Sequence, residues 1–128
     1  MEEAEDRVKG LIIDEPHISN ILNGVKDWEI RNRSFPYKIP KIIGLLTKKN
    51  HTYPHSILGY AEVIGCYSMT PLQMLNYNHR HQASDFIQRN PNYMNAKILY
   101  AYELGDVWRL QTPDPYTYQK GQVVWVDI

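Results

Sequence analysis

The sequence predicts an α+β domain: a small, mostly antiparallel β-barrel or curled sheet flanked by two or three short helices. Three observations carry this. Strand-like apolar runs outnumber helical patterns, and the helices interrupt the strands instead of alternating with them. The 128 residues contain no repeat, low-complexity tract or linker, which makes residues 1–128 one unit. Hydrophobic residues make up 43% and charged ones 22%, a globular balance.

Taken in order, residues 1–8 form an acidic stretch expected to be a disordered tail. Leu11 to Ile13 is a short apolar strand. Pro16 suits the first turn of a helix, with Asp14 and Glu15 at its positive end. Ile18, Ile21 and Leu22 then share one face at i, i+3, i+4, and Gly24 is placed to cap the helix C-terminus. Trp28 to Arg31 is a strand, followed by a loop punctuated by Pro36 and Pro40. Lys41 to Thr47 and Ile57 to Tyr67 are the strongest strands of the middle, separated by a loop that holds Pro54. Thr70 and Pro71 read as N-cap and first helical residue, and Ala83 to Arg89 as a second helical piece of this half. Ile98 to Leu104, Val107 to Leu110 and Gln122 to Asp127 complete the strands.

Formal charge is zero overall but unevenly spread. Residues 1–15 carry six acids against Arg7 and Lys9, a net of −4, while residues 24–50 carry seven bases against Asp27 and Glu29, a net of +5. The neutral whole argues against sequence-independent wrapping of duplex DNA, which needs many phosphate contacts. The local basic segment still suits a short single strand or a nucleotide. Cys66 is the single cysteine, so no intramolecular disulfide or cysteine zinc cluster forms, and its strand-like apolar setting favours an inert thiol. No apolar stretch reaches the ~18 residues that span a bilayer, and the acidic N-terminus lacks a signal-peptide pattern. These features lead to the expectation of a cytoplasmic protein without membrane partners. The histidine pairs His79/His81 and His51/His55 lack metal-site spacing, Pro54 forbidding a regular helix in the second, and no cofactor signature is present.

The segment from Gly24 to Arg33 holds Lys26, Glu29, Arg31 and Arg33 around Trp28. Strand alternation places Trp28 and Ile30 on one face and Glu29, Arg31 and Arg33 on the other. Glu29 and Arg31 then stand about 7 Å apart on one face, close enough to brace one another. A braced guanidinium keeps its fork ready for a phosphate, carboxylate or base edge, whereas an exposed ion-pair network contributes little.

Gly24-Val25-Lys26-Asp27-Trp28-Glu29-Ile30-Arg31 closely resembles the G-x-K-x-x-E-x-R signature of ASCH domains, a branch of the PUA-like superfamily. The lead-in helix around Ile18, Ile21 and Leu22 fits the same pattern. So do the C-terminal segments: Tyr100 to Leu104, Val107 to Leu110, Pro113, and Gly121 to Ile128. The resemblance implies a PUA-like β-barrel with Lys26, Glu29 and Arg31 lining a cleft beside the lead-in helix. It also implies binding of single-stranded RNA or a modified nucleoside. In that reading Lys26, Arg31 and Arg33 meet phosphate or a base edge, and Trp28 or Tyr102 stacks.

Two alternatives accompany it. One is a hydrolase acting on a nucleoside or RNA, a nucleoside amidohydrolase or ribonuclease, with Lys26 as base and Glu29 as its acid/base partner. An ASCH-related group that deacetylates acetylcytidine uses a Lys and a Thr three residues later. Here Glu29 occupies the Thr position, and Glu62 and Glu103 are the available distant acids. The other alternative is a protein-interaction module.

Overall fold

Two long strands, β4 (Ser56–Met69) and β5 (Leu99–Pro115), form the backbone of a six-stranded curled sheet. The computed structural model describes residues 8–121 and 124–128. The remaining strands are β1 (Lys9–Ile12), β2 (Trp28–Arg31), β3 (Lys41–Leu46) and β6 (Trp125–Asp127), and the spatial order is β2-β5-β4-β3-β1-β6. Every pairing is antiparallel except β1 with β3, so β1 lies parallel to one neighbour and antiparallel to β6. The expected α+β class with a mostly antiparallel curled sheet is borne out.

Ile98 to Leu104 and Val107 to Leu110 are joined in one strand, β5, instead of two. The register between β4 and β5 shifts three times along its length, so bulges bend the pair without ending it. Gly59 sits at one shift, where a Cβ would collide with the Trp108 carbonyl oxygen, and glycine permits that backbone approach.

Five short helices flank the sheet: α1 (His17–Leu22), α2 (Pro71–Leu75), α3 (Asn78–His81), α4 (Ser84–Arg89) and α5 (Pro91–Met94). The three expected helices are present, and α3 and α5, of four residues each, are added. Thr70 closes a full capping box with Gln73 at the start of α2. Pro16 stands one position before α1 as its cap residue. The Glu15 carboxylate, not the proline, satisfies the helix start by accepting from the Ser19 N–H at 3.2 Å and the Ser19 hydroxyl at 2.7 Å.

Apolar side chains divide between the faces of the sheet. Ile18 and Ile21 of α1 pack with Leu11, Ile43, Leu45, Val63 and Tyr102 on one side. Trp28 and Ile30 of β2 pack with Met74, Ala83, Ile87 and Leu99 beneath α2 and α4 on the other. The final strand begins at Trp125, and residues 122 and 123 of its expected span lie outside the described residues. Residues 1–7 of the expected acidic tail also lie outside them, whereas Val8 is held by its carbonyl, which accepts from the Ile128 N–H at 3.0 Å. Among the described residues no helix is long and apolar enough to cross a membrane.

Candidate functional site

The turn after α1 determines where Lys26 points. Gly24 has φ +76°, and its N–H donates to Ile21 O while the Val25 N–H donates to Asn20 O. This is a Schellman closure, with glycine in the left-handed position that such a turn demands. The Lys26 N–H also reaches Asn20 O at 3.1 Å, so the chain folds back under the helix and the lysine is only 3% exposed. β2 starts two residues later and directs Glu29 and Arg31 to the same side.

Lys26, Glu29 and Arg31 form a connected cluster. Lys26 Nζ is 3.1 Å from Glu29 Oε1, an ion pair with both side chains buried. Arg31 Nε and Nη2 both donate to Glu29 Oε2, at 3.1 and 2.9 Å, and Nη2 also donates to Ile12 O at 2.9 Å. On its other side Lys26 Nζ lies 3.2 Å from His17 Nδ1. Because an ammonium only donates, Nδ1 accepts and the imidazole proton resides on Nε2.

The electrostatics follow from this packing. Burial alone would push the Glu29 carboxyl up, but Lys26 and Arg31 outweigh it and hold it at about 2. Burial and the neighbouring Lys26 charge push His17 below its ordinary value, which keeps the ring neutral near pH 7. Burial works against the Arg31 charge, yet Glu29 overcomes it and the guanidinium is held more firmly than usual. Two cations around one anion leave the cluster with one net positive charge.

These groups line a cavity of about 140 Å³, closed by Phe86 and Ala83 of α4 and its approach and by Tyr93 of α5. Asp14 and Lys48, paired at 2.9 Å, stand at its side. Phe86 meets the His17 ring edge-to-face at 5.5 Å and Tyr93 at 5.0 Å. The cavity is less than half the ~300 Å³ at the lower end of pockets for drug-sized ligands, so it suits one ring-sized group. Among the described residues no group of three His, Cys, Asp or Glu side chains is placed to hold a metal.

No protein-family model and no curated protein matches the sequence. Solved structures do. The chain superposes on the crystal structure of ASCH from Zymomonas mobilis with a TM-score of 0.76 at 15% identity, over 95% of this chain and 87% of that one. A serine-to-alanine variant of the Zymomonas mobilis protein gives 0.73 at 14% identity, covering 97% and 89%. A tyrosine-to-phenylalanine variant gives 0.71 at 15% identity, covering 95% and 90%. The chain carries the ASCH fold.

Within this ASCH fold, the residues singled out from the sequence part company. Lys26, Glu29 and Arg31 come together on the cavity wall. Trp28 lies on the opposite face of β2, 5% exposed, stacked between Tyr67 and Tyr77 with the Arg80 guanidinium 4.7 Å from its ring. Its faces are therefore covered by protein, which corrects the expectation that it stacks on a ligand. Arg33 falls beyond the end of β2, where the alternation that carries Glu29 and Arg31 no longer applies, and it does not line the cavity. Tyr102 is the cross-strand partner of Glu29 but is 2% exposed, packs edge-to-face on Phe35 at 5.2 Å and donates its hydroxyl to Arg33 O at 2.7 Å. It too is core, not a stacking platform.

The site gains His17, Phe86, Tyr93, Asp14 and Lys48, none of which sequence reasoning selected. His17 had one usable signal, its place at the start of the lead-in helix. Phe86 and Tyr93 reach the cavity through helices whose docking no local pattern reveals.

Proposed function

We propose that the cavity binds a nucleobase of RNA, or the base of a modified nucleoside. The observation that carries this reading is the buried Lys26–Glu29–Arg31 cluster, completed by neutral His17, on the wall of a ring-sized cavity faced by Phe86 and Tyr93. Burying Lys26 and Glu29 withdraws both charges from water, and a buried ion pair is a weak source of stability compared with apolar packing. Its position on a cavity wall points to use. A base edge needs fixed donors, which Arg31 and the His17 Nε2–H supply, and a flat ring finds apolar contact at Phe86 and Tyr93.

Hydrolysis finds less support in the same geometry. Glu29 is ionised at neutral pH and committed to Lys26 and Arg31, so it holds no proton to deliver as a general acid.

A thermal-shift titration of the protein with free and modified nucleosides tests the binding reading, since a ligand that binds the folded state raises the midpoint with concentration. Stabilisation by at least one nucleoside, lost in Arg31→Ala measured relative to that variant's own baseline, is the expected result. A flat response across canonical, methylated and acetylated nucleosides overturns it.

A further inference from the structure

We infer that the base-binding cavity continues into a second site that takes the adjoining nucleotide of a single RNA strand, so that the ligand is a strand and not a free nucleoside. This rests on the nucleobase reading above and deepens it.

A groove of about 430 Å³ adjoins the cavity and shares Ile12 and Lys48 with it. Its walls carry Lys48, Lys49 and Lys120, with His55, Tyr116 and Tyr118, and among the described residues no carboxylate lines it. Among the described residues Lys48 is the one of these three lysines with an ion pair, to Asp14 on the cavity side. The loop after β3 and the segment after β5 build this wall together. The Tyr116 hydroxyl donates to Thr47 O at 2.8 Å, and its N–H donates to His55 O at 3.0 Å. The His55 ring stacks on Tyr118 at 4.6 Å and 25°, leaving Tyr118 42% exposed. His55 Nδ1 is buried without a hydrogen bond among the described residues.

Lysines along a groove with aromatic faces between them are the combination that tracks a single-stranded backbone while stacking its bases. An acidic peptide would use the lysines but not the exposed Tyr118 ring. Continuity through Lys48 fixes the direction: a base in the cavity has its own sugar-phosphate toward the groove, where the next phosphate meets Lys49 and Lys120.

The test compares fluorescein-labelled adenylate, cytidylate and uridylate RNA hexamers with the corresponding nucleosides, using wild type, Lys49→Ala/Lys120→Ala and Tyr118→Ala. All three substituted side chains are exposed, and circular dichroism checks that the variants fold. At least one hexamer should bind wild type at least tenfold more tightly than its nucleoside. The double variant should flatten the slope of log affinity against log salt by about 1.4, for two lost single-strand phosphate contacts. Tyr118→Ala should weaken the hexamer about tenfold. Nucleoside binding should be unchanged in every variant.

Equal affinity for hexamer and nucleoside overturns the inference, as does an unaltered slope in the double variant. A glutamate hexapeptide that binds as tightly as the RNA overturns it in favour of a peptide site. In those cases nucleoside binding still stands and the cavity reading survives. If wild type binds no nucleoside and no hexamer, both readings fall.

Discussion

Lys26 Nζ stands 3.2 Å from His17 Nδ1, and the contact holds only while the imidazole is neutral. Protonation would place a second buried cation against the lysine. The first prediction concerns this ring. Its folded pKa is pushed below 6.5, chiefly by burial and then by Lys26, so the neutral form is favoured in the fold. The unfolded chain therefore binds the proton more readily below pH 6.5, and the stability contributed by neutral His17 is present above that pH and lost as acid is added. The His17 ring signals in NMR should titrate with a midpoint under 6.5, with the Nε2–H tautomer at neutral pH. A midpoint at or above 6.5 would contradict the arrangement.

Glu29 is the pivot between two cations, and its removal strands both. Glu29→Gln should destabilise the fold by about 3 kcal/mol or more, because Lys26 and Arg31 lose their shared counter-charge while staying buried. A Lys26→Met/Glu29→Gln double variant should lose less than the sum of the single changes, as contacting residues are non-additive. Urea denaturation measures each. In wild type the carboxyl is depressed from 4.5 to about 2, so its contribution of roughly 3 kcal/mol persists above pH 4.5 and disappears between pH 4.5 and 2.

Much of this architecture was readable because local signals and tertiary packing agree. The capping residues Thr70 and Gly24, the strand from Trp28 to Arg31 and the pairing of Glu29 with Arg31 all follow from spacing. The faces of β2 were also legible, since alternation is a property of the strand alone. What each face meets is not. Trp28 looked like a stacking surface until Tyr67, Tyr77 and Arg80, remote in sequence, covered it. His17 and Tyr93 line one cavity although they are 76 residues apart, and that meeting depends on how α5 packs on α4, where Tyr93 meets Phe86. Alternation also misled at Arg33, two residues past the end of the strand.

The turn at Gly24 yields a separate prediction. Nothing lies within 4 Å of a Cβ built there, so space is not the constraint; the positive φ is. Gly24→Ala should cost about 1 kcal/mol from left-handed strain alone, and Gly24→Asn less, because asparagine tolerates that region. Thermal denaturation of the two variants separates them. A cost for alanine well above 2 kcal/mol would mean that the turn bears more than backbone strain.

His81 offers a second pH-dependent element away from the cavity. It is fully buried, its Nε2–H donates to Met74 O at 2.7 Å, and its Nδ1 accepts from the Ala83 N–H at 2.9 Å. Protonating Nδ1 would leave the Ala83 N–H facing another donor. Burial lowers the pKa, so stability from this residue too is present above pH 6.5 and falls below it. His81→Ala should cost about 2–4 kcal/mol through two unpartnered backbone groups and a cavity. Its acid-induced loss between pH 6.5 and 5 should be smaller than that of wild type.

Arg31 and Arg33 lie two residues apart and make opposite predictions. Arg31 spans Glu29 and the Ile12 carbonyl with a planar fork that a lysine ammonium cannot reproduce. Arg31→Lys keeps the charge, but it should weaken nucleoside stabilisation about tenfold or more and cost about 1–3 kcal/mol by leaving Ile12 O without its donor. Arg33 is exposed, and it anchors Tyr102 through its backbone carbonyl, which a substitution retains. Arg33→Ala should leave nucleoside binding and stability within about 0.5 kcal/mol of wild type. Equal losses in the two variants would show that charge on this segment matters more than its geometry, and the cavity would no longer be the natural place for the ligand.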